Sequence, residues 1–200
     1  MNRWNERYAG ADFLFGTAPN AFLRAERDRL PARGSALALA DGEGRNGVWL
    51  AEQGLDVLAV DASEAGLAKS RRLAAERGVS LTWELADLAR WDFGHERFDV
   101  IAAIFFQFAD PALRARIFEG IRAALKSGGV LLLEGYRPEQ LEYRTGGPSE
   151  LAHLYTEPML REAFADLRIE HLASYDTELD EGAGHRGMSA LIDLVARKPG

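Results

Sequence analysis

The stretch Ser35-Ala-Leu-Ala-Leu-Ala40-Asp41-Gly42-Glu43-Gly44-Arg45-Asn46-Gly47-Val-Trp-Leu-Ala-Glu-Gln-Gly54-Leu-Asp-Val-Leu-Ala-Val60-Asp61 decides how the rest of the chain is read. A short apolar run, Ala36 to Ala40, reaches a glycine-rich bend at Gly42 and Gly44. A helical segment from Arg45 to Gln53 follows and stops at Gly54, where a glycine takes a positive φ cheaply. A second apolar run, Leu55 to Val60, ends on the carboxylate of Asp61. This is a strand–turn–helix–strand unit, which builds a ligand crevice at the carboxyl edge of a parallel sheet. Glycines admit a ligand close to the backbone, and the new helix aims its free N–H groups at the same place. Asp61 stands 19 residues after Gly42, and a carboxylate at that strand tip can accept bonds from both hydroxyls of a ribose. The unit suits an adenosine-containing cofactor.

Working outward, the alternation of strand and helix continues. Ser63 caps a helix that Gly78 ends, Val79 to Leu85 is a strand, and Ala86-Asp87-Leu88 follows it. Arg97 to Phe106 reads as a buried strand. Asp110 and Pro111 open a helix whose Leu113, Ile117, Ile121 and Leu125 recur every four residues, and Lys126-Ser127-Gly128-Gly129 turns the chain into Val130 to Glu134. Short connections of this kind imply right-handed crossovers and a parallel sheet with helices on both faces. Residues 135–156 break the rhythm with a long loop, which in a compact domain is more often functional than idle. A helix from Thr156 precedes two closing strands, Arg168 to Tyr175 and Met188 to Ala196, joined by an acidic, glycine-rich loop from Asp176 to Gly187. Strands linked directly lie antiparallel, which places them at the sheet edge. At the other end, Pro19 and Asn20 open a helix to Leu30, preceded by an arm bearing Trp4, Tyr8, Phe13 and Phe15. Those aromatics either cover the edge of the core or form a flap over the cofactor mouth. The whole reads as one domain over 1–200. It comprises an arm and helix (1–33), a cofactor-binding core (34–135), and an acceptor loop, helix and closing strands (136–200).

Composition narrows the classes. Two hundred residues, 47% hydrophobic, suffice for one domain with a real core. Thirty-one acidic against 24 basic side chains, a formal charge of −7, argue against a nucleic-acid surface. With no cysteine, disulfides, thiolate metal sites and cysteine nucleophiles are out. The four histidines show no metal-ligand spacing. The charged start, Met1-Asn2-Arg3-Trp4, is unlike a signal peptide, and the longest apolar run, Val100 to Phe106, is far short of a membrane span. A cytoplasmic protein without membrane contact is expected, and the sequence leaves its oligomeric state open.

Gly42-Glu43-Gly44-Arg45-Asn46-Gly47 fits G-x-G-x-x-G, which alone invites a nicotinamide dinucleotide. Three features oppose that. Asp41 and Glu43 flank a turn where a pyrophosphate prefers no fixed negative charge, Asp87 offers a second strand-end carboxylate, and no separate substrate domain follows. S-adenosylmethionine answers all three, with a ribose for Asp61, an adenine for Asp87, and a sulfonium and an ammonium near Asp41. A nicotinamide-dependent reductase and a catalytically silent S-adenosylmethionine-binding module are the alternatives.

These motifs, with Val48-Trp49-Leu50-Ala51, Gly184-His185-Arg186 and Leu194-Val195-Ala196-Arg197-Lys198, resemble the class I S-adenosylmethionine-dependent methyltransferases. Within that superfamily the chain is similar to small bacterial enzymes of the tellurite-resistance type. The resemblance implies a Rossmann-like α/β fold: a seven-stranded sheet, mostly parallel, with an antiparallel C-terminal strand. It places the methionine part of the cofactor on the turn (Asp41, Gly42, Gly44, Arg45, Asn46) and the ribose at Asp61 and Ala62. The adenine falls to Ala86, Asp87 and Leu88, and a floor beneath the sulfonium to Ala102 through Phe105, including Ala103. Tyr8 and Phe15 would close over it. Departures are Ala38 in place of an acid, Ala40 in place of glycine and Ser127 in place of proline, with Asp41 the substitute acid for the ammonium. The product would be S-adenosylhomocysteine. Methyl transfer to a small-molecule acceptor is an in-line displacement governed by alignment and desolvation. His185, Arg186 and Tyr136 are the candidates for catalysis, with Tyr143 and His153 as lesser ones for holding the acceptor; His95 and His171 are read as structural.

Overall fold

A computed structural model describes residues 3–200; Met1 and Asn2, part of the expected arm, lie outside the described residues. One sheet carries the fold. Its strands are β1 (Ser35–Leu39), β2 (Asp56–Asp61), β3 (Thr82–Leu85), β4 (Phe98–Ile104), β5 (Leu125–Tyr136), β6 (Arg168–Asp180) and β7 (Arg186–Arg197). They lie in the order β3-β2-β1-β4-β5-β7-β6. The β1–β2, β1–β4, β2–β3 and β4–β5 pairs are parallel, whereas β7 runs antiparallel to both of its neighbours.

The helices are α1 (Arg3–Arg7), α2 (Ala21–Ala25), α3 (Arg45–Glu52), α4 (Glu64–Arg77), α5 (Pro111–Ala124), α6 (Gln140–Tyr143) and α7 (Glu157–Ala163). Side-chain alternation along the strands divides the core into two layers. Leu37, Ile101, Leu131, Leu133 and Leu194 face Ile117, Phe118 and Ile121 of α5 and Leu160 of α7. Ala36, Ala38, Val100, Val130 and Leu132 face Phe22 and Leu23 of α2, Val48 and Leu50 of α3, and Leu73 of α4. Each such Leu, Ile or Phe contributes roughly 1.5–3 kcal/mol by burial, so truncating Ile101 to alanine costs about 2–5 kcal/mol. No helix among the described residues is long and apolar enough to cross a membrane.

Several boundaries differ from the sequence reading. The expected loop from Asp176 to Gly187 is largely strand, because Asp176 pairs with Ala190, Glu178 with Met188 and Asp180 with Arg186. Only residues 181–185 remain as the tip. The last strand, β7, sits inside the sheet and β6 forms its edge. The helix expected to run to Leu30 ends at Ala25, and a 3-10 turn over Arg27–Arg29 replaces its second half. The long loop contains α6 and a 3-10 turn, Leu151–His153.

The sheet order reverses at β1, whose neighbours β2 and β4 lead in opposite directions. A crevice at the carboxyl ends of β1 and β4 follows from that topology.

Candidate active site

A cavity of about 900 Å³ occupies the crevice. Its floor is built where β1 and β4 end. Ala40 and Phe105, just past those ends, both hold a positive φ, 51° and 52°, although neither is glycine. Such a conformation costs an ordinary residue roughly 1–2 kcal/mol, and both residues line the cavity. Phe105 is held there by its N–H, which donates to the Glu134 carbonyl at 2.9 Å.

The glycine turn continues from Ala40. Gly44 takes φ 93° as the residue before α3, and a Cβ there would collide with Ser70 of α4. A Cβ on Gly42 would come within 2.7 Å of the Tyr8 hydroxyl, so the turn and the N-terminal arm meet where only a bare backbone fits. Asp61, at the tip of β2, braces the turn: one oxygen accepts the Gly42 N–H at 2.8 Å and the other the Ser63 N–H at 2.8 Å. Burial raises the pKa of the Asp61 carboxyl, and the N–H groups of Ser63, Gly42 and Ala62 oppose that rise.

Asp41 is a second buried acid of the cavity wall. Its Oδ1 accepts the Gly47 N–H at 3.0 Å, while its Oδ2 is buried without any hydrogen-bond partner. Burial pushes its pKa up to about 7, against the pull of the Gly47 N–H. A buried carboxylate oxygen with nothing to accept is a vacancy for a donor, best a cationic one. Glu43, which flanks the same turn, pairs with Lys69 at 2.7 Å and is absent from the cavity wall.

Aromatic rings form the opposite wall. His185, in the hairpin tip, has its ring centroid 4.3 Å from that of Phe105, 4.4 Å from Phe15 and 6.0 Å from Tyr136. Trp4 stacks on Tyr8 at 5.5 Å, and Tyr8 meets the edge of Phe15 at 6.2 Å. The arm thus docks over the cavity as a flap. The His185 Nδ1 is buried and unpartnered. Burial, then Arg45 and Arg7, push the His185 pKa down to about 3, so the imidazole is neutral. Desolvation likewise raises the pKa of Tyr136.

The cavity therefore gathers Asp41, Arg45, Asn46, Asp61, Ala62, Ala86, Asp87, Leu88, Phe105, Tyr8, Phe15, Tyr136 and His185. His153 lines it as well. Gly42 and Gly44 shape the turn without lining the space. Ala103 is wholly buried in the core, behind the floor. Arg186 stands apart: its side chain is 75% exposed and lies 3.6 Å from Asp180. Tyr143 also lies outside, donating to Asp176 at 3.0 Å. Gln107 escaped the sequence reading. Its Nε2 donates to the carbonyls of Tyr136 at 2.9 Å and His153 at 3.1 Å, tying the long loop to the end of β5. Arg3, Arg7 and residues 146–150 were missed too, although the glycines at 146 and 147 marked that loop.

A sheet in this order, with a glycine turn after its first strand and a carboxylate at the tip of its second, defines the class I S-adenosylmethionine-dependent methyltransferase fold. Residues 36–129, 94 of the 200, match the sequence profile described as a methyltransferase domain. Among curated proteins none matches. Solved structures share the fold at low identity. One, described with the conversion of a disulfide bond into a thioacetal group during echinomycin biosynthesis, is 17% identical with a TM-score of 0.76, over 98% of this chain and 91% of that one. TehB from Haemophilus influenzae is 20% identical with a TM-score of 0.74, over 98% of this chain and 65% of its own. Magnesium protoporphyrin IX methyltransferase from Synechocystis PCC 6803, solved with bound S-adenosylhomocysteine, is 16% identical with a TM-score of 0.66, over 89% and 78%.

Proposed function

We propose that the chain moves a methyl group from S-adenosylmethionine to a small-molecule acceptor held against the aromatic wall. The observation that carries this reading is that Asp41, whose buried Oδ2 has no hydrogen-bond partner, lines the same cavity as Asp61 and His185. When bound, the cofactor supplies an electrophilic methyl group on a sulfonium. Asp41 would take its ammonium. Asp61 keeps lone pairs for the ribose hydroxyls beyond the N–H groups it already accepts. Ala86, Asp87 and Leu88 would border the adenine.

Phe105, Phe15 and Tyr136 exclude water from the remaining space, which strengthens alignment and electrostatics there. His185, neutral and with an unpartnered Nδ1, would accept a hydrogen bond from an acceptor. The exposed Arg186 has no part in this scheme. A volume of about 900 Å³ lies within the roughly 300–1,000 Å³ of small-molecule sites and suits a cofactor with a small acceptor.

Calorimetry with S-adenosylhomocysteine and with NADH tests the reading. Micromolar binding of the first and none of the second is expected. Tight NADH binding without S-adenosylhomocysteine binding overturns it in favour of a reductase.

A further inference from the structure

The hairpin tip that carries His185 is fastened by a side chain outside the cavity. Glu181, its first residue, sends one carboxylate to three residues of two helices and their caps. Its Oε2 accepts from Arg45 Nη1 at 2.7 Å, its Oε1 accepts the Ala21 N–H of α2 at 2.8 Å, and both oxygens lie 3.3 Å from Asn20 Nδ2. Both side chains of the Arg45–Glu181 pair are nearly buried, at 7% and 11% exposure. The Glu181 N–H donates to the His185 carbonyl at 2.9 Å, so the residue also closes the five-residue tip upon itself.

The tip is pressed against the arm. Gly184 donates its N–H to the Leu14 carbonyl at 3.0 Å, and any Cβ on Gly184 would strike the Phe15 ring. A Cβ on Gly182 would come within 2.6 Å of the Gly16 nitrogen. The tip thus has one seat, and Glu181 bolts it to the first residue of the helix that follows the glycine turn.

The bolt sits in an unbalanced cluster. Asn20 Nδ2 also donates to Glu134 at 2.8 Å, and Glu134 is paired in register with Asp193; both are buried. Burial, then the Asp193 and Glu181 carboxyls, raise the Glu134 pKa well above the ordinary carboxylate value. A staple for stability alone is built more cheaply from apolar side chains. What this arrangement provides is a fixed distance between Arg45 and His185.

We infer that Glu181 is a positioning residue for the methyl-transfer site, holding Arg45 on the cofactor side and, through the closed tip 181–185, His185 on the acceptor side of one cavity. The assignment of sides rests on the function proposed above. The carboxylate touches neither reactant. It sets where the two cavity residues stand relative to each other, and rigid pre-placement of such groups lowers the ordering cost of binding.

The test uses the full chain, S-adenosylhomocysteine as the probe, and the ring C–H signals of His185 in proton–carbon NMR. Three rings around His185 displace those signals from the positions of the other histidines. In Glu181→Ala the displacement collapses and affinity for S-adenosylhomocysteine falls about tenfold, while Glu181→Gln, which keeps an acceptor oxygen, retains the displaced signals and most of the affinity. Glu181→Asp keeps the charge but withdraws it by one methylene. It behaves like the alanine variant if placement matters, and it supplies the answer if the alanine protein does not fold. Displaced His185 signals with affinity within about twofold of the parent in both the alanine and aspartate variants overturn the inference. Absence of S-adenosylhomocysteine binding by the unaltered protein defeats the functional reading instead, and the ring signals then still decide whether Glu181 places His185.

Discussion

Lys69 Nζ and Glu43 Oε1 stand 2.7 Å apart, both side chains under 10% exposed. The same ammonium donates to the Asp12 carbonyl at 2.6 Å, and the other Glu43 oxygen accepts the Phe15 N–H at 3.2 Å. The pair therefore ties α4 and the glycine turn to the arm that roofs the cavity. Lys69→Met leaves a buried carboxylate without its cation and is expected to cost about 3–5 kcal/mol. Lys69→Met combined with Glu43→Gln recovers most of that loss, because no uncompensated charge remains. Urea denaturation of the two single variants and the double variant measures both effects.

What the sequence shows of this arrangement is uneven for a physical reason. Helix α4 matches its reading from Ser63, whose side chain accepts the Gly66 N–H, to Gly78 in the left-handed conformation, because capping is settled within a few residues. The glycine turn and Asp61 are equally local, being consecutive along one strand–turn–helix–strand unit. The pairing of Glu43 is not legible in the sequence because its partner is 26 residues away on α4. The sequence suggests a loop there because Asp176, Asp180 and Gly187 are loop-forming types, and only their pairing with Ala190, Arg186 and Leu179 makes them strand. The ring contact between Phe15 and His185 joins the arm to the hairpin tip, and no local pattern encodes it.

Asp41 predicts a pH dependence of two opposed signs. Burial pushes its pKa up to about 7 in the folded chain, whereas unfolded aspartate titrates near 3.9. The folded protein therefore binds this proton more tightly than the unfolded one. The associated stability is present below about pH 4 and is lost as pH rises through about 7. A ligand ammonium needs the carboxylate, so S-adenosylhomocysteine affinity rises over the same interval, falling about tenfold per unit on the acid side. Asp41→Asn binds more weakly and without this slope, and the melting temperature of the parent relative to it declines from pH 4 to pH 8. Calorimetry and thermal melts across that range test the two slopes separately.

His185 has the reverse sign. Its pKa is driven down to about 3 by burial and by two arginines, against about 6.5 in the unfolded chain. Its contribution to stability is complete above about pH 6.5 and is lost as pH falls toward 3. Its ring should show no titration between pH 5 and 8 by NMR. His185→Phe fills the same aromatic cage and breaks no hydrogen bond at Nδ1, which has no partner. The variant should therefore gain stability relative to the parent as pH drops from 6.5 to 5. An unchanged difference over that interval would mean that the imidazole takes up its proton in the folded protein as it does in the unfolded one.

Asp61 is asked to serve both the fold and the ligand, and two variants separate those duties. Its oxygens hold the N–H groups of Gly42 and Ser63, each at 2.8 Å. Asp61→Ala strands both donors beside the cavity, costing about 1–3 kcal/mol for each one left unpaired. Asp61→Asn keeps one acceptor oxygen and most of the turn, yet it replaces the charged acceptor of a ribose hydroxyl with a neutral one. If Asp61 only braced the turn, the affinity of the asparagine variant for S-adenosylhomocysteine would stay close to that of the parent. If it also binds ribose, affinity falls about tenfold or more with little change in melting temperature, as expected for the loss of a hydrogen bond to a charged group worth about 1.5–3 kcal/mol. Calorimetry on the two variants at pH 8, where Asp41 is ionised in both, keeps the neighbouring carboxylate from contributing to the difference.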